Sequence, residues 1–74
     1  MNWYMIKGNW RYFKDSIKSE WRKITDNDLL VIDGNRDRLV GKIQQHYGLP
    51  RDHAEDEVDS WRRRVKLNKQ QLGQ

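Results

Sequence analysis

The 74-residue chain contains no cysteine, one proline and no apolar run longer than four residues. Without cysteine, neither a disulfide framework nor a thiolate zinc site is available. Those are two of the usual supports of a domain too short to build a large core. A membrane-spanning helix, which needs roughly 18 consecutive apolar residues, is excluded on length. Residues 1–8 carry no apolar stretch of the kind found in a secretory leader, so a cytoplasmic location is the default expectation.

Other absences bear on chemistry. Gly8, Gly34, Gly41 and Gly48 stand singly, so there is no glycine-rich phosphate loop. Ser16, Ser19, Thr25 and Ser60 have no histidine close in sequence, which leaves nucleophilic catalysis without a candidate. His53 and Glu57 are spaced i, i+4, but two ligands from one helix turn are too few for a closed metal site. Both histidines, His46 and His53, are therefore read as surface residues. The carboxylates Asp52, Glu55, Asp56, Glu57 and Asp59 lack an apolar setting that would raise a pKa. The expectation is a protein that is not an enzyme and uses no metal and no cofactor.

What the chain has in quantity is charge and large aromatics: 35% charged residues, four Trp, three Tyr and one Phe. A chain of this length buries only about 60% of its unfolded surface, and big rings are the economical way to fill such a core. The charge is unevenly spread. Residues 1–24 and 62–74 are basic, and 25–61 are acidic. That layout suits either a polyanionic partner or helices whose opposite charges meet within the fold.

Helical periodicity dominates. Trp10, Phe13, Ile17, Trp21 and Ile24 recur every three or four residues, which predicts a helix from Gly8 to Ile24. Trp3 and Ile6 predict one further turn before it, capped by Asn2 and bent away at Gly8. Thr25 or Asp26 caps a short helix through Leu29–Ile32 that Gly34 closes. A third run, Asn35 to Tyr47, carries Leu39, Val40, Ile43 and Tyr47 on one face. Its Gly41 is explained by close approach of another helix, and Gly48 stops it. Pro50 suits the first turn of a last helix, with Ala54, Val58, Trp61 and Val65 inward. The acidic start and the Arg62, Arg63, Arg64 end of that helix match the helix dipole. The fold expected is all-α, a bundle of about four helices. Residues 1–65 form one domain, and a basic tail over 66–74 is flexible, fraying by Lys69.

The chain resembles the CsbD-like family of small bacterial proteins. The resemblance rests on Lys7-Gly8-Asn9-Trp10, Phe13-Lys14, Trp21-Arg22-Lys23-Ile24-Thr25, Asp26-Asn27-Asp28-Leu29, Ile32, Gly34 and Arg36-Asp37. It continues through Leu39-Val40-Gly41-Lys42-Ile43-Gln44, Tyr47-Gly48, Ala54-Glu55, Val58 and Trp61. It covers Met1 to Trp61 in register. It implies a SAM-domain-like pair of crossed helical hairpins and an association with stress responses, and it assigns no activity to any residue. Asp15 and Pro50 depart from the family pattern, and Arg62 to Arg64 with the tail lie outside it.

The candidate binding residues are Lys7, Arg11, Lys14, Lys18 and Arg22, which fall in one stripe of the first long helix, joined by Arg62, Arg63 and Arg64. A row of cations at that spacing follows a phosphate backbone, and Tyr4 or Tyr12 offers a stacking surface. The plainer reading is a solvated face, or one paired with the acidic helix near Glu55. The turn Asp33-Gly34-Asn35 beside Arg36 has the outline of a phosphate-holding hairpin. Its single glycine and its flanking acids favour a simple helix stop. Two partner classes follow: nucleic acid held non-specifically, or a protein partner, with the chain acting as an adaptor or self-associating module. An exposed Trp3–Tyr4 pair would mark the latter, but both rings are expected to pack over the end of the core.

Overall fold

The computed structural model describes residues 1–67 as five helices, with no strand among them. They are α1 (Trp3–Gly8), α2 (Trp10–Glu20), α3 (Asp26–Ile32), α4 (Arg36–Tyr47) and α5 (Arg51–Arg64). The expected all-α bundle is therefore present, with the anticipated extra turn standing as a helix of its own. Fraying near Lys69 and flexibility of the tail beyond it concern positions outside the described residues.

Trp61 organises the packing. Its ring meets Trp3 at 6.2 Å, Phe13 at 6.0 Å and Trp21 at 5.7 Å between centroids. One side chain of α5 thus gathers α1, α2 and the α2–α3 turn. The indole N–H groups are placed as carefully as the rings: Trp61 donates to Ser16 Oγ at 3.0 Å, Trp3 to the Gly34 carbonyl at 2.8 Å, and Trp21 to Glu57 at 3.4 Å. Burying an indole without such a partner costs the desolvation of its N–H. Trp10 Nε1 is buried with no hydrogen-bond partner among the described residues.

Around this cluster lie Ile6, Ile17, Ile24, Leu29, Ile32, Leu39, Val40, Ile43, Ala54 and Val58, all buried. Ile17, Ile24, Leu39, Val40, Ile43, Ala54 and Val58 are positions that the helical periodicity placed inward, whereas the apolar run of α3 divides, with Leu29 and Ile32 buried and Leu30 and Val31 exposed. α4 and α5 form the most extensive helix–helix contact, and α3 lies against α4.

Helix ends account for several departures from expectation. Asn2 caps α1 by accepting from the Met5 N–H. α2 stops at Glu20, four residues short of Ile24, although Trp21 and Ile24 remain in the core. Trp21 leaves helical geometry so that its ring reaches Trp61 and Glu57, and the Tyr47 hydroxyl accepts the Lys23 N–H that this exposes. Tertiary packing here outweighs local periodicity. At the end of α3, Asp33 and Gly34 both take positive φ, 45° and 79°. Pro50 is the N-cap residue of α5, one position before the helix, and Val65 lies just past its end, half-buried.

The close approach expected at Gly41 is not there. Gly41 is exposed, and a Cβ on it would meet nothing within 4 Å. The glycine that is approached closely is Gly34, where a Cβ would lie 3.0 Å from Lys7 Cγ. α1 thus packs across the α3–α4 turn at a position closed to side chains both by its φ and by contact.

α3 is fixed to α4 through one carboxylate. Thr25 and Asp28 form a capping box: the Thr25 N–H donates to Asp28 Oδ2 at 3.0 Å, and the Asp28 N–H donates to Thr25 Oγ1 at 3.1 Å. The same carboxylate accepts from His46 Nε2 at 2.7 Å and faces Lys42 Nζ at 3.4 Å, both from α4. His46 is therefore a half-buried structural partner and not a surface histidine. The Thr25 backbone N–H is the largest influence on Asp28. With His46, the Thr25 hydroxyl and Lys42 it overcomes the opposing effect of burial and lowers the pKa from 3.8 to about 2.

Two measurements check this account. Gly41→Ala should raise stability by about 1 kcal/mol in urea denaturation, because the helix gains propensity and the methyl meets no neighbour. Asp28→Asn should cost about 2 kcal/mol at pH 5, where the carboxylate is ionised both folded and unfolded. A depressed folded pKa stabilises above the unfolded value and loses that effect as pH falls. The gap between the two proteins should therefore narrow between pH 4 and pH 2 in melts followed by circular dichroism.

Candidate functional site

The basic residues singled out by the sequence divide into three groups. Arg11, Lys14 and Lys18 are spaced i, i+3 and i+7 on α2, about a quarter turn round the helix from the side that buries Phe13 and Ile17. Arg22 lies beyond the end of the helix. It still joins Lys18, Asp15 and Ser19 around one shallow open depression, so the stripe continues past the break. Lys7 does not belong to it. The chain bends at Asn9, which has φ −121° and ψ 36° and ends α1 while starting α2. Lys7 is carried with α1 toward the α3–α4 turn.

Arg62, Arg63 and Arg64 form the third group, and all are paired internally. Arg62 and Arg63 both hold Asp59. Arg62 also donates to the Met1 carbonyl at 2.9 Å, while the Met1 amine donates to the Arg62 carbonyl at 3.2 Å. Arg64 reaches Glu20 at the end of α2 at 2.9 Å, a pairing across 44 residues. The pairing with Arg62 first, then Arg63, keeps the Asp59 pKa below the ordinary carboxylate value, and Glu20 raises that of Arg64.

On α2 itself, Lys18 is bound to Asp26 at 2.6 Å. That hydrogen bond raises the Lys18 pKa and lowers that of Asp26. Arg11, Lys14 and Arg22 make no ion pair among the described residues. The expected pairing of this face with the acidic helix near Glu55 does not occur. Glu55 is taken by Arg51 at 2.8 Å and, more loosely, by Arg36 at 3.7 Å.

A second feature escaped the sequence reading. α1 and the start of α4 enclose a cleft of about 390 Å³ lined by Trp3, Tyr4, Lys7, Gly34, Arg36 and Asp37, with Asn35 at its edge. Trp3 packs on the core as expected, whereas Tyr4 is 88% exposed. The reason is rotational: α1 is six residues long and turns Trp3 and Ile6 inward, which leaves Tyr4 outside. Tyr12, the other tyrosine considered for stacking, instead packs edge-on against Phe13 at 5.0 Å. The residues of the cleft lie about 30 positions apart, and only the docking of α1 on Gly34 joins them. Leu30 and Val31 are also exposed, at 68% and 47%, on the outer side of α3.

Among the described residues, no group of three His, Cys, Asp or Glu side chains is placed to hold a metal, and no helix is long and apolar enough to cross a membrane.

Known proteins place this chain. No solved structure matches it significantly. It is 56% identical over 57 residues to the UPF0337 protein YjbJ of Escherichia coli O6:H1, covering 77% of this chain and 83% of the relative. To a UPF0337 protein of Pectobacterium atrosepticum it is 51% identical over 61 residues, 82% of this chain and 88% of the relative. A UPF0337 protein of Rhodopseudomonas palustris is 46% identical over 61 residues, with 82% and 92% covered. The CsbD-like family model matches residues 5–56, so Arg62 to Arg64 lie beyond the match, and the chain belongs to the CsbD-like family.

Proposed function

We propose that this protein is a non-enzymatic binding module that holds nucleic acid by its phosphates along α2, acting in the bacterial cytoplasm as part of a stress response. The observation that carries the reading is the contrast in pairing. Arg62, Arg63, Arg64, Lys18, Lys42 and Arg51 are engaged by carboxylates of the fold, while Arg11, Lys14 and Arg22 form no ion pair among the described residues. Unpaired cations arranged along one side of a helix cost nothing to redirect toward an external anion, since no internal ion pair has to break. Arg11, Lys14 and Arg22 meet the phosphates of the polymer without giving up an internal pair, Lys18 joins them by exchanging Asp26 for a phosphate, and release of the counterions on that polymer drives association. Selectivity for base sequence is not part of the proposal: phosphate contacts position a protein on nucleic acid without reading it. The stress association follows from family resemblance alone.

A second reading is supported by Leu30 and Val31. Two exposed aliphatic side chains on adjacent positions of a short helix suit a protein–protein or self-association contact.

Fluorescence anisotropy of a labelled DNA duplex at about 50 and 200 mM salt separates the two. Three to four phosphate contacts predict binding that weakens roughly 40- to 150-fold over that range. The double variant Arg11→Glu, Lys14→Glu should abolish it while leaving the melting temperature nearly unchanged, because neither residue is ion-paired. Absence of duplex binding at the lower salt would refute the α2 reading. A concentration-dependent sedimentation coefficient that Leu30→Asp removes would favour self-association in its place.

A further inference from the structure

The cleft between α1 and the start of α4 has a composition that α2 lacks. Its volume, about 390 Å³, falls within the range of sites that take small molecules, about 300–1,000 Å³. One wall is rigid: Trp3 is pinned by its hydrogen bond to the Gly34 carbonyl and by its edge contact with Trp61. Beside it stands Tyr4, an aromatic ring left almost wholly in water by a domain that buries its other rings wholly or in part. Gly34 lines the cleft at the turn after α3, with Lys7 packed close against that glycine.

The charges around the cleft are not balanced. Arg36, Arg51, Asp37 and Glu55 form one network, with Arg51 bound to Asp37 at 2.9 Å and to Glu55 at 2.8 Å, and Arg36 at 3.7 Å from Glu55. The lining itself carries two cations, Lys7 and Arg36, against one carboxylate, Asp37, whose charge Arg51 offsets. Lys7 makes no ion pair among the described residues and is the surplus cation of that lining, while the exposed Asp33 stands outside it in the neighbouring turn. The α4 N-terminus adds to it. Asn35 caps the Arg38 N–H, leaving the Arg36 and Asp37 N–H groups without an intrahelical acceptor. A free ring, a surplus ammonium and open backbone donors around one concavity fit a flat π-system joined to an anion.

We propose that this cleft takes an unpaired nucleobase from a single strand, stacked on Tyr4, with the adjoining phosphate against Lys7 and the first turn of α4. The proposal rests on the reading of α2 as the phosphate-binding face. It adds that the protein grips single strands by a base as well as by the backbone. A base in a duplex is already stacked and cannot enter, so the cleft confers a preference for single strands that α2 alone does not. Lys7 lies two residues before the Asn9 bend that leads into α2.

Three labelled probes of about 12 nucleotides test it by anisotropy at about 50 mM salt: oligothymidylate, an abasic strand of the same length, and a duplex. The wild-type protein should bind oligothymidylate at least about fivefold tighter than the abasic strand. Tyr4→Ala should bring the two to the same affinity, Tyr4→Phe should keep the preference, and neither should change duplex binding. Because Tyr4 makes no core contact, an unchanged thermal melt is expected for both variants. Equal binding of base-bearing and abasic strands by the wild type, or a preference that survives Tyr4→Ala, overturns the cleft proposal while salt-sensitive duplex binding still supports α2. No binding of any probe overturns both.

Discussion

Everything in this fold depends on the surroundings of one ring, the Trp61 indole. A domain of this size has room for one core, and a side chain that touches three other aromatics from three different segments decides where those segments go. The consequence appears furthest from α5, in α2. Its helix ends early because Trp21 has to leave helical geometry to reach that ring, and a new turn, closed by the Tyr47 hydroxyl, follows. Ser16 takes the indole N–H and so sets the rotation of α2 about its own axis. That rotation in turn determines that Arg11 and Lys14 face outward. The basic surface is thus a by-product of the aromatic core and needs no separate device to present it.

The electrostatic layout follows the same economy. Basic ends flanking an acidic middle suggested either a partner or internal pairing, and the chain does both in different places. The C-terminal arginines are used at home, by Asp59 one helical turn away and by Glu20 across 44 residues. The N-terminal cations of α2 are largely left over: of the α5 carboxylates, Glu55 is held by Arg51 and Arg36, and Asp59 by Arg62 and Arg63. Pairs of this kind on a surface contribute little to stability, about 1 kcal/mol or less each. Their importance lies in which charges they remove from the outer field.

Periodicity made the inward positions legible, because a core-facing residue must recur every three or four positions whatever its neighbours are. Caps were legible too: Asn2, Thr25 and Gly48 act where their side chains or φ preferences predict. What local pattern could not supply was anything decided across helices. Gly41 looked like a contact point and is an open position, whereas Gly34 looked like a simple stop and carries the docking of α1. His46 looked solvent-facing because its partner, Asp28, lies 18 residues away. The stripe from Lys7 to Arg22 appeared continuous because a helical wheel does not register the bend at Asn9. The cleft was invisible for the same reason, being made of two segments that meet only after folding.

Asp28 serves two masters, its own helix start and the far end of α4. A seven-residue helix has almost no stability alone in water, so α3 holds its shape only while docked. The carboxylate that caps it also anchors it to His46 and Lys42. Separating α3 from α4 would therefore strip the cap of its charge partners at the same moment. The two helices should open as a single cooperative unit, with amide protons of α3 and of the last turns of α4 exchanging through one common event. Such coupling leaves α3 no partly detached state in which its outer face could rearrange independently of the core.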